Sequence, residues 1–144
     1  MSLEGIDLGT RTLLGIAAGG LANFALGGLW YMVLFQRPWM AAIGRTASDF
    51  KDDSPSSGML ITLIGCVVST FAFAVVFQWA GGTSIGDAIV VGLLIGIGVA
   101  AVEGLKPAVY NFVERVRAWS LYIVNTSYAV LGTVLGGIVY ALIA

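Results

Sequence analysis

Histidine is absent from this sequence, which removes the commonest metal ligand and general base among the side chains. A haem held by histidine is therefore excluded, and a chlorophyll-type pigment would lack its usual ligand. The single cysteine, Cys66, excludes any internal disulfide. It lies within an apolar run with no basic neighbour to activate its thiol, so we interpret it as a small packing residue. Since no nucleophile–base pair and no metal constellation is present, we do not expect an enzyme.

Charge is also scarce. Charged residues make up 10% of the 144 positions, whereas a soluble domain carries about 25%. Hydrophobic residues make up 58%, and the mean hydropathy is +0.95. The net charge of -1 and the lack of any Lys/Arg cluster exclude a nucleic-acid partner. This composition is typical of an integral membrane protein.

Long apolar runs occupy nearly the whole chain and leave no room for a separate soluble domain. A hydrocarbon core of about 30 Å takes roughly 20 helical residues. On that scale we predict one transmembrane domain over residues 1–144, an all-α four-helix bundle. The predicted spans cover about residues 12–35, 59–80, 85–113 and 119–143. The first run is longer than the apolar region of a cleavable signal peptide, so we interpret it as a retained span.

Basic residues are distributed unevenly among the connections, and this bias predicts orientation. The first and third connections hold six of them: Arg37, Arg45, Lys51, Lys106, Arg115 and Arg117. The amino end holds only Arg11, and the second connection and carboxyl end hold none. We therefore predict a multi-pass protein of the cell inner membrane with both termini on the outer, non-cytoplasmic side.

Aromatic and basic residues mark the predicted membrane interfaces. Tryptophan favours the headgroup level, and arginine marks the aqueous side of it. The predicted anchors are Trp30, Arg37, Trp39, Arg115, Arg117 and Trp119. In the first connection we expect Pro38 to end or redirect the first span. Ser48 before Asp49 predicts the start of a short loop helix that Pro55 closes.

Small residues recur every four positions in the predicted spans. Such stripes let helix backbones approach closely. The predicted packing positions are Gly15 and Gly19 in the first span, Gly92 and Gly96 in the third, and Gly132 and Gly136 in the fourth. The longest stripe runs from Ser84 to Gly104, so we expect the third span to be the central helix.

A few polar residues interrupt the apolar spans, and an ionisable residue in such a place indicates a functional site by default. Glu103 is expected about 6 Å inside the cytoplasmic boundary, at about 1.5 Å per residue. It can pair with Lys106 three residues later, or bond Asn125 or Tyr31 while Lys106 extends to the headgroups. One interpretation is a structural hydrogen-bonded group, and the other is a proton or cation carrier. Asn23, near the midplane of the first span, is expected to make an interhelical hydrogen bond rather than a substrate contact.

The same segment of the third span contains a helix-breaking residue. Pro107 has no amide hydrogen, so the carbonyl of Glu103 loses its helical partner. With Gly104 one turn away, we predict a kink at Gly104 and Pro107 that needs another group to satisfy the freed oxygen.

Several short motifs resemble a known family. They are Leu29-Trp30-Tyr31, Trp39, Asn111, Glu114, Arg115, Asn125 and Tyr128. Together they resemble the bacterial domain-of-unknown-function 1761 family, from the first span to the fourth. The resemblance implies a small four-span protein with no established activity. This chain departs from the family pattern at two places. Members often have a glycine in the motif that reads Val113-Glu114-Arg115-Val116 here, and they often have a histidine where this chain has Ala129. The second departure argues against a role in protonation at that site.

Two classes of function fit these observations. The first is a non-catalytic accessory subunit that packs through its small-residue faces into a homo-oligomer or a larger membrane complex, for example a respiratory or photosynthetic one. The alternative is a small oligomeric transporter or channel that uses the polar group around Glu103. The lipid bilayer is the expected partner in either case. No cofactor is predicted; a lipid or a pigment could bind, but no histidine is available to ligate it.

Overall fold

A computed structural model describes residues 5–50, 56–110 and 114–144, and within these ranges the chain is helical and contains no strand. The α-helices are α1 (Thr10–Leu29), α2 (Gln36–Ile43), α3 (Ser56–Trp79), α4 (Ile85–Ile95), α5 (Val102–Val109) and α6 (Arg115–Ile143). A π-helical turn, Trp30–Leu34, extends α1, and another, Gly96–Ala101, joins α4 to α5. The prediction of an all-α fold is confirmed.

Four helical segments are long and apolar enough to cross a membrane: Thr10–Leu34, Ser57–Trp79, Ile85–Val109 and Arg115–Ile143. The predicted four-span membrane protein is therefore confirmed, whereas the side on which the termini lie stays a prediction. We call the end of the bundle that holds Thr10 and Ile143 the terminal end. The opposite end, where Leu34 and Arg115 lie, is the loop end.

The fourth span, α6, is the centre of the bundle. It contacts α1, α2, α3, α4 and α5, while α4 contacts α6 and α3. The expectation that the third span is central is thus wrong. The small residues of the third span pack closely against one helix, α6. Helix α6 is the longest of the helices, with 29 residues, and runs alongside the others.

Helices α1 and α6 run antiparallel and meet once per helical turn. At each of these contacts one helix has a glycine, and a Cβ atom added to that glycine would lie 3.1 Å or less from an atom of the facing helix. The facing pairs are Gly15 with Tyr140, Gly19 with Gly136, Asn23 with Gly132, and Gly27 with Tyr128. Gly15, Gly19, Gly132 and Gly136 therefore lie at the closest helix contact of the bundle, where any side chain would separate the two backbones.

Helix α4 packs on the opposite flank of α6 in the same manner. A Cβ atom at Gly92 would lie 2.9 Å from Val134 Cα, and one at Gly96 would lie 2.8 Å from Val130 Cα. Both distances are to backbone atoms, which cannot rotate away. Gly98, two residues further along, has no atom of another residue near its open side.

Aromatic side chains fill the bundle toward its terminal end. Phe73 and Tyr140 are fully buried, and their rings meet edge to face with centroids 6.1 Å apart. Phe77 contacts both rings, at 5.7 Å from Phe73 and 5.8 Å from Tyr140. Such offset and edge-on geometries are the favoured ones for aromatic pairs. They join α3 to α6 where the glycine contacts of α6 end.

The first connection contains a helix that the sequence did not suggest. Pro38 is the third residue of α2 rather than the end of a helix, because a first-turn position has no intrahelical amide bond to lose. Gly44 ends α2 with φ 69°, a conformation that glycine adopts without strain. A 3₁₀ turn follows at Ala47–Phe50.

That turn is capped differently from the prediction. The backbone N–H of Thr46 donates to Asp49 Oδ2 at 2.6 Å, and the Thr46 hydroxyl donates to the same oxygen at 2.9 Å. These two bonds, the backbone one first, hold the pKa of Asp49 below its usual range. Ser48 bonds the Thr46 hydroxyl instead of capping the turn. Pro55, which we predicted to close the loop helix, lies outside the described residues.

Candidate functional site

A cavity of about 230 Å³ with a partly polar lining lies at the loop end, between α2, α5 and α6. We call it the loop-end groove. Its walls combine small apolar residues of α2 and α5 with polar residues of α6. The polar lining consists of Glu114, Arg117, Tyr122, Asn125 and Thr126. The groove therefore offers hydrogen-bonding groups inside an otherwise apolar segment.

Arg117 closes one side of this groove. Its Nη1 lies 2.7 Å from Glu114 Oε1, one helical turn earlier. Its Nη2 contacts Gly44, so a side chain at that position would collide with the guanidinium. The arginine thus lies at the carboxyl end of α2, where the helix dipole favours a positive charge. Arg117 Nε is buried and has no hydrogen-bond partner among the described residues.

Two hydrogen bonds tie the last turn of the first span to α6. Trp30 Nε1 donates to the carbonyl oxygen of Val124 at 3.0 Å, and the Trp30 side chain is buried. Tyr31 Oη donates to Asn125 Oδ1 at 3.0 Å. The Tyr31 ring also meets Tyr128 edge-on, with centroids 5.2 Å apart. Tyr31 thus contacts both Tyr128 and Asn125, and Asn125 lines the loop-end groove.

Asn23 lies deeper in the same α1–α6 contact. Its residue is only 7% exposed, and Oδ1 faces Gly132 without a hydrogen-bond partner among the described residues. The backbone carbonyl of Asn23, by contrast, accepts a bond from Tyr128 Oη at 3.3 Å. The interhelical hydrogen bond that we predicted for this residue is therefore made by its backbone and not by its amide.

Glu103 and Lys106 form an ion pair on the surface of the bundle. Lys106 Nζ lies 2.8 Å from both carboxylate oxygens of Glu103, and both side chains are 63% exposed. Asn125 and Tyr31 bond each other instead, so the structure splits the predicted polar group in two. The reason is direction: the side chain of Glu103 is exposed at the bundle surface, whereas Tyr31 of the first span and Asn125 of α6 face each other.

The irregular backbone of the third span lies earlier than the predicted kink. The π-helical turn occupies Gly96–Ala101, whereas Gly104 and Pro107 lie inside regular α5. A π-turn inserts one extra residue into a helix and shifts the side chains that follow it. Gly98 and the two alanines leave space for this turn, and Pro107 contributes the small apolar wall of the loop-end groove.

The predicted interface anchors fall into two groups. Trp30 is 8% exposed and hydrogen-bonded inside the bundle, so its role is packing and not headgroup contact. Trp39 is half-buried, with its ring 5.3 Å from Tyr31. The more exposed anchors are Arg37, Arg115 and Trp119, and Arg117 lies in the groove.

At the terminal end the structure contains a polar cluster that our sequence reasoning missed. Gln78 Oε1 accepts from the Asp7 backbone N–H at 2.8 Å, and Gln78 Nε2 donates to the Asp7 carbonyl at 3.2 Å. The same nitrogen donates to Tyr140 Oη at 3.0 Å. The available signal was a glutamine near the end of an apolar span, but its partners lie 71 and 62 residues away in the chain.

No metal site is suggested by the described part of the chain, in which no three His, Cys, Asp or Glu side chains lie close enough to share an ion. The described polar residues can instead donate and accept hydrogen bonds at two depths. The shallower level is the loop-end groove, and the deeper one is the contact of Asn23 with Tyr128.

Four apolar spans, with α6 at their centre, define a multi-pass α-helical membrane protein. The chain belongs to the family described as protein of unknown function (DUF1761), whose sequence model matches residues 14–141. That range includes the second and third spans, most of the first and fourth, and both polar levels. No curated protein and no solved structure matches the chain.

Proposed function

We propose that this protein is a non-catalytic subunit of the bacterial inner membrane that associates laterally with other membrane helices, in a homo-oligomer or in a larger complex. The observation that carries the proposal is an uncovered small-residue face on α3. Gly58 and Gly65 are exposed, with no neighbouring atom within 4 Å of an added Cβ, and Ser69 is exposed one turn further along.

This face differs from the other stripes of small residues, which are already used inside the bundle. The glycines of the predicted stripes on α1, α4 and α6 already face another helix of the same chain and leave no space for a further partner: Gly15, Gly19, Gly92, Gly96, Gly132 and Gly136. On α3, Gly58, Gly65 and Ser69 are seven and four residues apart, so they share one side of the helix. In lipid, such a face favours close approach of another helix because van der Waals packing drives association there.

A pair of glycine substitutions tests this proposal. Gly65→Leu should abolish association while leaving the monomer folded, because the added side chain meets no atom of its own chain. Gly98→Leu is the matched control, since Gly98 is equally open but lies on another span. The measurement is the particle mass in a mild detergent, by native mass spectrometry. A parent protein that migrates alone, or a Gly65→Leu variant of unchanged mass, contradicts the proposal.

The alternative is a small transporter or channel that uses Glu103. Its ion pair with Lys106 lies on the outer surface of the bundle, so a path along Glu103 requires a second copy to enclose it. Proton or cation flux in liposomes separates the two functions. A flux that Glu103→Gln abolishes without unfolding the protein favours the transporter.

A further inference from the structure

Asn23 carries a buried polar atom without a partner in the bundle interior. The residue is only 7% exposed, yet its amide oxygen Oδ1 makes no hydrogen bond to the described part of the chain. Burial of a polar atom without a hydrogen-bond partner lowers the stability of the fold, and hydrocarbon cannot provide the missing hydrogen bond. A buried small molecule such as water can provide it.

Polar atoms of three helices converge beside this amide. Tyr128 Oη of α6 lies 3.3 Å from the backbone carbonyl oxygen of Asn23, and Cys66 Sγ of α3 lies 3.7 Å from the same hydroxyl. Two glycines leave space for these groups: Gly27 faces the Tyr128 hydroxyl and Gly132 faces the Asn23 amide. A buried water typically makes about three hydrogen bonds. The amide, the hydroxyl and the thiol can supply them.

The same position is connected to the aqueous surface through polar side chains. Asn125 lines the loop-end groove and accepts the hydrogen bond of Tyr31. The Tyr31 ring then contacts Tyr128, which reaches Asn23. Along α6 this path covers seven residues, from Asn125 to Gly132, or about 10 Å of helix.

We propose that water enters the bundle from the loop-end groove and binds at Asn23, so that the α1–α6 contact contains a hydrated path through half of the membrane. Tyr31 is the gate of this path, because its ring contacts Tyr128 and its hydroxyl is held by Asn125, which lines the groove. The ligand class is water, or an uncharged solute of similar size that both donates and accepts hydrogen bonds. This path is separate from the lateral face of α3.

The thiol of Cys66 provides a built-in reporter of that water. Cys66 is the only cysteine of the chain, so its S–H stretching band stands alone in an infrared spectrum. With the protein in a lipid bilayer transferred to D₂O, the rate at which this band disappears measures contact with water. The control carries Cys66→Ala together with Ile64→Cys, which places the thiol on an exposed part of α3 outside the face of Gly58, Gly65 and Ser69. We expect the Cys66 thiol to exchange faster than this lipid-facing control.

Substitution of the gate tests the route. Tyr31→Phe keeps the ring but removes its hydrogen bond to Asn125. We expect exchange at Cys66 to become about fivefold faster, because loss of one ordinary hydrogen bond increases the population of an open state by about that factor. Tyr122→Phe is the matched control, since Tyr122 lines the same groove but makes no hydrogen bond to other described residues. It should leave the rate unchanged.

Removal of the deep polar group tests the site itself. Asn23→Leu should slow the exchange at Cys66 to the rate of the lipid-facing control. If that variant does not fold, the two tyrosine variants still decide the proposal. Exchange at Cys66 no faster than the lipid-facing control overturns the water site. An unchanged rate in Tyr31→Phe, or an equal acceleration in Tyr122→Phe, overturns the gate.

Discussion

Gly96 and Gly98 lie two residues apart in one π-helical turn, and the structure places them in opposite surroundings. A Cβ atom at Gly96 would lie 2.8 Å from the backbone Cα of Val130, a distance that real Cβ atoms essentially never show. Gly98 has open space at the same position. The variants Gly96→Ala and Gly98→Ala each add one methyl group. At Gly96 this group meets a neighbouring helix, and at Gly98 it does not.

The expected magnitudes follow from two opposing effects. Alanine gains about 0.5–1 kcal/mol over glycine within a helix because it restricts the unfolded chain. Overpacking of a close contact costs about 1–3 kcal/mol. Gly98→Ala should thus raise the free energy of unfolding slightly, whereas Gly96→Ala should lower it. The difference between the two variants should be about 1–3 kcal/mol, and helix propensity cancels from it.

The assay is reversible unfolding of both variants and the parent in mixed micelles, with helical content followed by circular dichroism. Gly92→Ala should behave like Gly96→Ala, because Val134 Cα lies 2.9 Å from its added Cβ. Equal stability of Gly96→Ala and Gly98→Ala would mean that α4 does not pack on α6 as described.

Three further predictions follow from other contacts. Trp30→Phe should destabilise the protein by about 1 kcal/mol, because the buried bond to the Val124 carbonyl is lost; unchanged unfolding would show that the indole N–H contributes nothing. Glu103→Gln should alter stability by less than about 1 kcal/mol, because its pair with Lys106 is exposed; a larger loss in the same assay would place Glu103 in a buried contact. A reporter fused after Ala144 should be active on the outer side of the membrane, and a cytoplasmic signal would reverse the predicted topology.

The spans could be predicted from sequence because hydrophobicity acts over whole segments. A run of about 20 apolar residues can only satisfy its backbone as a helix when it crosses a bilayer. The close contacts of Gly92 and Gly96 follow from the same kind of local pattern, because four-residue spacing places both on one helix face. These features require no knowledge of which helix is the neighbour.

Prediction of the polar site, by contrast, requires knowing which helices are neighbours and which of their faces meet. The sequence predicts the depth of Glu103 in the membrane, but depth does not determine direction around the helix axis, and Glu103 faces outward instead of toward Asn125. Trp30 resembles an interface residue in sequence, although its indole lies against α6. The bond between Gln78 and Asp7 depends on how three helices come together, which no local spacing encodes.

The once-per-turn contact of α1 with α6 has a consequence for how the two helices find their alignment. If α1 slid by four residues, Gly15 would face Gly136 and Gly19 would face Gly132, so the middle of the interface would accept the slipped register. The slipped form would lose the Trp30 bond to Val124 at one end and the fit of Tyr140 at the other. The glycines therefore let the two helices approach closely but do not determine their register. The polar and aromatic residues at the two ends of the interface determine it.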